Sequence, residues 1–495
     1  MPEPILIRPQ FEKKQLAELE RLCQLLDKAL EKPGQLEKPI GTSGVLEEIG
    51  SQLWKVAGLE AEPILEGIDQ ARDDGAALPI IIQSDEHQHL PWELLYHPHP
   101  ELEFIGRHPW VAVVRCIARP RKPKPAQALP LRILLFTSSP EDLDPETGRL
   151  DYEREEELLF TALDRPLADG NVVIDVAEDG LLETLIERLE NQRYHAVILS
   201  MHGTRAPAKG ESEWGLLFED PQTWQSQPIA GSELAARLDR LPARHRPELL
   251  MLAACRSALA EQTLEAIPSV AAQLNRKGFD RVLGMRLSVL DNAASAFSAE
   301  FFRRLAQGED VGRALSLARH DVATGKWLAD PSSKQPVSPL GDPYAQWTLP
   351  VLLDRSGGAL LDPDLPAETV PRPPQESVLI GDGQLMLPQR SQFIGRRRIL
   401  RRRLRSFLEG KERQLLLTGP GGVGKTTLAG QFVQRFGDRF PQARRLGFQA
   451  PFDLEAVYGV LFREATQGDE DPRLLDKIQM EKKKDRRPSI GHMLD

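Results

Sequence analysis

The hydrophobic pattern along this chain changes period several times. Residues 11–32 repeat apolar positions at helical spacing, with Phe11, Leu16, Leu19, Leu22, Leu25, Leu26 and Leu30 on one broad face, and a second helix is expected over 43–57. Pro79–Ile82 and Val111–Cys116 are short apolar runs that read as the first strands. From Leu131 onward strands and helices alternate: Leu131–Thr137 strand, Tyr152–Leu163 acidic amphipathic helix, Val172–Val176 strand, Gly180–Asn191 helix. Such alternation predicts βαβ units with right-handed crossovers and a parallel sheet.

Two further apolar runs end on chemically active residues. Val197–Met201 leads into His202–Gly203, and Leu249–Ala254 leads into Cys255. Apolar runs without alternation are buried strands of a sheet covered on both faces, and ligands collect at the carboxyl ends of such strands. If the two strands are neighbours, His202 and Cys255 emerge side by side, and an imidazole beside a thiol can take its proton and later return it to a leaving amine. Each residue alone has a plain structural reading: a lone cysteine at a strand end is usually a small hydrophobe. Their separation of 53 residues is close to that of one known His–Cys signature.

The blocks around this pair resemble the CHAT family of caspase-like (clan CD) cysteine peptidases, relatives of separase. The matching pieces are SMHG, WGLLFED at 214–220 and AACRS, together with 278–319 and 342–353 downstream and LPWELLY and 104–116 upstream. Ala253 departs from the Ser or Thr that many relatives carry there. The resemblance implies a mostly parallel caspase-like α/β sheet sandwiched by helices over residues 65–355, and a His202–Cys255 dyad without a third member. It also implies an oxyanion held by the backbone N–H groups of Gly203 and Cys255, and a protein substrate. A glycine after the histidine suits close approach of a substrate carbonyl. By its place in its block, Asp291 resembles the acidic residue with which separase receives an arginine side chain. The commoner role for an Asp at such a position is to cap the helix expected over Asn292–Leu305, and both roles can hold at once. A catalytically silent scaffold with the same fold is the rival reading.

Composition narrows the setting. The formal charge of −10 over 495 residues argues against general nucleic-acid binding. Cys23, Cys116 and Cys255 lie far apart with no CxxC pair, so neither a disulfide framework nor a cysteine zinc site is expected. No apolar run reaches the ~20 residues of a membrane span and the N-terminus lacks a signal-peptide core, so a cytoplasmic protein without a membrane partner is expected. His87, His89, His97, His99 and His108 cluster in one stretch, where a metal is conceivable, but without acidic or Cys partners at ligand spacing they read as a surface or pocket-rim loop and no metal site is assigned.

Residues 1–64 read as a helical segment packed on the peptidase domain, the Pro-rich basic stretch 119–130 as an extended connector, and the Pro/Gly-rich stretch 356–390 as a linker. Beyond it, an apolar run at 414–418 precedes GPGGVGKTT (419–427), a P-loop. Its glycines Gly419, Gly421, Gly422 and Gly424 let backbone N–H groups wrap phosphates. Lys425 reaches the β/γ-phosphates, and Thr426, beside Thr427, ligates Mg²⁺. ATP or ADP with Mg²⁺ is the expected cofactor there; none is expected for the peptidase. With FIGR upstream, the region 391–478 resembles the start of a STAND signalling NTPase of the NB-ARC kind. That implies nucleotide-driven self-assembly controlling a peptidase in bacterial defence or cell-death signalling. No Walker B run follows Ala450, so hydrolysis by this chain is doubtful, and the charged tail 479–495 reads as disordered.

Overall fold

In the computed structural model, residues 2–31, 44–117, 120–143, 152–177, 179–208, 212–253, 266–285, 291–325, 345–368, 377–380, 383–386, 417–425, 427–429 and 446–447 are described. The chain forms two compact units, one comprising residues 1–371 with 394–397, the other 372–393 with 398–495.

Nine strands of the first unit make one sheet. In chain order all the strands described in this unit are β1 (Ile5–Ile7), β2 (Leu78–Gln83), β3 (Tyr96–His97), β4 (Glu103–Phe104), β5 (Val111–Cys116), β6 (Leu131–Thr137), β7 (Val172–Val176), β8 (Ala196–Ser200), β9 (Gly203–Pro207), β10 (Ser212–Glu219), β11 (Ser226–Ala230), β12 (Leu249–Ala253), β13 (Arg281–Met285) and β14 (Pro350–Asp354). The large sheet has the order β1-β2-β5-β14-β13-β12-β8-β6-β7. Every neighbouring pair is parallel except β13–β14, so two parallel halves of opposite direction meet at that seam. β3 and β4 form a small hairpin, and β11-β10-β9 a separate antiparallel sheet.

The uninterrupted apolar runs are explained by two cores, one on each face of the sheet. Along β6, Ile133 and Leu135 enter one core while Leu134 and Phe136 enter the other. The same period-2 division repeats in β8 (Ile198 against Val197 and Leu199) and β12 (Leu249 and Met251 against Leu250 and Leu252). Helices α1 (Lys13–Glu31), α2 (Val45–Ala57), α3 (Ala61–Asp74), α4 (Tyr152–Ala162), α5 (Asp164–Ala168), α6 (Leu182–Asn191), α7 (Gly231–Asp239), α8 (Ala266–Arg276), α9 (Asp291–Ala306) and α10 (Val311–Ala323) cover these faces. α6, α7 and α8 close the second core through Leu185, Leu189, Leu234, Leu238, Val270 and Leu274; α1–α3, α9 and α10 close the first.

Several sequence expectations need adjusting. The first strand is β1 rather than 79–82, so the N-terminal segment contributes an edge strand as well as a helical wall. Leu25 is half exposed although it was placed on the buried face of α1. It lies about 100° round the helix from the centre of the Leu19, Leu22, Leu26 and Leu30 stripe, outside the arc that faces the core. α3 was not anticipated. The basic stretch after 119 is docked: Gln127 bonds to Leu360 and Asp362 backbone, while Arg121 and Lys124 pair with the nearly buried Asp280. The stretch expected to be a linker is structured at its start, where Leu360 and Leu361 join the first core. Residues Ser377–Ile380 (β15) and Gly383–Met386 (β16) pair antiparallel, and β15 pairs with Leu446–Gly447 (β17), within the second unit.

Candidate active site

The carboxyl ends of β6, β8 and β12 lie side by side, in a register that matches Thr137 with Ser200 and Ser200 with Ala253. Three successive residues leaving β8 are each held by a different neighbour. Ser200 C=O accepts from Ser138 N–H (3.0 Å), Met201 N–H donates to Ala253 C=O (3.2 Å), and His202 C=O accepts from Leu217 N–H (2.9 Å). His202 is therefore fixed by β6, β12 and β10 together, and it is buried at 2% exposure. Cys255 lies outside the described residues. In sequence it follows Ala253 by two residues, as His202 follows Ser200. Gly203 opens β9 opposite Leu216. Asp291 is the first residue of α9, with its side chain outside the described set, so the pocket and cap readings both stand.

A carboxylate that sequence reasoning passed over supports this edge. Glu219, the last residue of β10, is 1% exposed and accepts from Ser139 N–H (2.8 Å) and Gly180 N–H (3.1 Å), while its own N–H donates to Gly180 C=O (3.0 Å). It ties the turns after β6 and β7 to the strand that holds His202. The turns touch closely: a Cβ on Gly180 would come within 2.6 Å of Ser138 Cα, so only glycine fits there. In the sequence it stands inside the WGLLFED block, as an acidic residue ending an otherwise apolar strand. Beside it, the Thr137 and Ser138 hydroxyls are buried and have no hydrogen-bond partner among the described residues, orphan polar groups of a kind that calls for an explanation at a site.

Several of the other histidines serve packing. His195 accepts from Arg132 N–H through Nδ1 (2.9 Å), and burial, with Arg193 and Arg132 near, lowers its pKa to about 4. Burial does the same to His108, helped by Arg72. His87 stands edge-on to Phe11 and His97 packs on Trp54. Among the described residues no group of three or more His, Cys, Asp or Glu is arranged to hold a metal, and no helix is long and apolar enough to cross a membrane.

In the second unit, Gly419, Gly422 and Gly424 all have positive φ (151°, 77° and 88°), and the Lys425 ammonium donates to the carbonyls of Gly419 (2.8 Å) and Pro420 (2.7 Å). Gly421 has open space around its Cβ position. Thr427 is described; Thr426 and the expected strand residues 414–416 lie outside the described residues. A left-handed glycine loop with a lysine curled over it fits a polyphosphate, whose oxygens would take the place of those carbonyls.

The family model of the CHAT domain matches residues 46–348. Among solved structures the chain is similar to the Arg-specific cysteine proteinase gingipain R (11% identity, TM-score 0.33, covering 72% of this chain and 77% of that one). It is also similar to the separase of the Saccharomyces cerevisiae separase–securin complex (14%, TM-score 0.31, 70% and 22%) and to Chaetomium thermophilum Raptor (10%, TM-score 0.21, 38% and 19%). No curated protein matches.

Proposed function

The chain belongs to the CHAT-domain family, and from that premise we propose that it is a cysteine endopeptidase working through His202 and Cys255. The observation that carries the proposal is the register of β8 on β12, which matches Ser200 with Ala253 two residues before each member of the dyad. His202 takes the thiol proton, the Cys255 sulfur attacks the scissile carbonyl carbon, and a tetrahedral oxyanion forms. Backbone N–H groups of Gly203 and Cys255 hold that oxyanion, a contribution of about 10²–10³ in rate per donor in comparable sites. His202 then gives its proton to the leaving amine as the C–N bond breaks, leaving a thioester. Water, deprotonated by His202, attacks the thioester and releases the acid and the thiol. Asp291 is proposed to receive a basic side chain ahead of the scissile bond, as the family resemblance suggests.

The test is digestion of casein by the full chain, with fragments identified by mass spectrometry. Cys255→Ala and His202→Ala are each expected to abolish cleavage, since the pair acts as a unit. Cleavage that persists in Cys255→Ala would overturn the assignment.

For the second unit we propose ATP or ADP binding at Gly419, Gly421, Gly422, Gly424, Lys425, Thr426 and Thr427, with Mg²⁺ on Thr426, and self-assembly under nucleotide control as the means of regulating the peptidase in bacterial defence. The left-handed glycine loop supports the binding step; control and defence rest on the resemblance. Calorimetry with ADP should give a binding isotherm for the parent chain and a much weaker one for Lys425→Ala.

A further inference from the structure

The strand that leaves His202 has a hydrogen-bonding phase set by two backbone contacts. Leu217 N–H donates to His202 C=O, so odd-numbered residues of β10 face β9; Asp220 N–H donates to Gln225 C=O, so even-numbered ones face β11. With the register of Gly203 on Leu216, Thr204 and Ala206 then pair with Gly215 and Glu213. Gly203, Arg205 and Pro207 point their main-chain groups the other way. No strand pairs with β9 on that side among the described residues. Pro207 agrees with an open edge, because proline enters a strand where its missing N–H would have faced outward. Arg205 and Trp214 form the close, non-hydrogen-bonded type of cross-strand pair, and the guanidinium lies over the indole at 4.0 Å. Gly203 is buried and Arg205 exposed, so the outward edge runs from the interior of the site to its rim.

We infer that this edge of β9 receives the leaving-side segment of the substrate as an added strand, with the Arg205 main chain as its anchor and the Arg205 guanidinium as a selector for an acidic side chain. The inference rests on the peptidase reading. Its direction comes from the chemistry: His202 must protonate the leaving amine, so the leaving segment starts at the imidazole, where β9 also starts. At a rise of about 3.3 Å per residue, Arg205 lies about 7 Å beyond Gly203. That is the reach of the second residue after the scissile bond. Arg205 N–H donates to a substrate carbonyl there and its C=O accepts a substrate N–H. Pro207 ends the ladder, so the contact is short. Among the described residues the Arg205 guanidinium packs on the Trp214 indole rather than on a carboxylate, and the indole holds its charge at the rim without neutralising it.

The test compares two probes built on one sequence from the casein digest: an internally quenched octapeptide, and an arylamide that keeps only the residues before the scissile bond. The quantity read is the ratio of their kcat/KM values. Arg205→Pro removes only an outward N–H and the side chain, and should lower the ratio roughly three- to tenfold, the worth of one hydrogen bond. Arg205→Ala keeps the N–H; it should erase a preference for Asp over Ala on the leaving side and lower the ratio less. N-methylating the second leaving-side residue of the peptide, a change that leaves the protein untouched, should reproduce the loss in the parent chain. An unchanged ratio in Arg205→Pro together with an N-methyl peptide cut as fast as its parent would overturn this inference alone. Cysteine-dependent cleavage of neither probe would remove the peptidase reading and this inference with it.

Discussion

Replacing Glu219 by Gln tests whether the edge that carries His202 is held as described. The carboxylate is buried and accepts two backbone N–H groups, from Ser139 and Gly180. Hydrogen bonds to a charged group contribute about 1.5–3 kcal/mol each, and a buried donor left unpaired costs about 1–3 kcal/mol. Gln keeps one acceptor, neutral and weaker, and turns its NH₂ toward the second N–H, so a donor meets a donor. The expected loss is about 2–4 kcal/mol in unfolding free energy, measured by urea denaturation of the full chain followed by tryptophan fluorescence. Because the two turns flank the residues that position His202, activity should fall as well. A displacement of about 1 Å can cost on the order of 10²-fold in rate. Loss of less than about 0.5 kcal/mol, with the rate of peptide cleavage intact, would refute the claim that Glu219 braces this edge.

Three other outcomes follow from named contacts. Glu93→Ala should cost about 3–5 kcal/mol, because it strands Arg115 and Arg319, which share the buried Glu93 carboxylate at 2.6 Å and 3.5 Å; a urea midpoint equal to the parent's would contradict this. His195 has its pKa depressed by burial to about 4, below the ordinary 6.5, so the folded chain binds fewer protons than the unfolded one between those values. The stability it supports is present above about pH 6.5 and is lost as pH falls toward 4, and His195→Gln should flatten that part of the urea-midpoint profile. Asp291→Asn should reduce cleavage after Arg and Lys far more than after Leu and Met if the carboxylate receives the side chain. Equal, small losses on matched peptides would leave only the helix cap, for which Asn serves as well as Asp.

The sheet and its order of elements were legible because buried strands of a parallel sheet are written as unbroken apolar runs. Leu131–Thr137, Val197–Met201 and Leu249–Ala254 all became neighbouring strands, and 152–162 and 182–191 became helices. β1 was not legible: three residues carry no period, and its place at the sheet edge is set by pairing with Ile80–Ile82 far along the chain. The docking of 120–130 was equally hidden, since proline and lysine predict an extended segment whether it is free or strapped to Asp280. At the site, His202 could be singled out by its position after an apolar run. Glu219 could not, because its role depends on two backbone N–H groups in turns 39 and 80 residues away. The outward phase of Arg205 follows only from the hydrogen bonds that fix the strand's alternation, and no side-chain pattern encodes that.

The most direct test of the dyad is chemical. Cys23 and Cys116 are buried, so limited treatment of the native chain with iodoacetamide at neutral pH, followed by peptide mass spectrometry, reads the reactivity of Cys255 against two internal references. A thiol beside a histidine is held partly as thiolate and reacts ahead of ordinary thiols. Cys255 should therefore be alkylated first, and His202→Ala should slow that reaction by about tenfold or more while the urea midpoint stays near the parent's. Labelling of Cys255 that is no faster than that of Cys23 and Cys116, or that proceeds at the parent rate in His202→Ala, would contradict the pairing of His202 with Cys255.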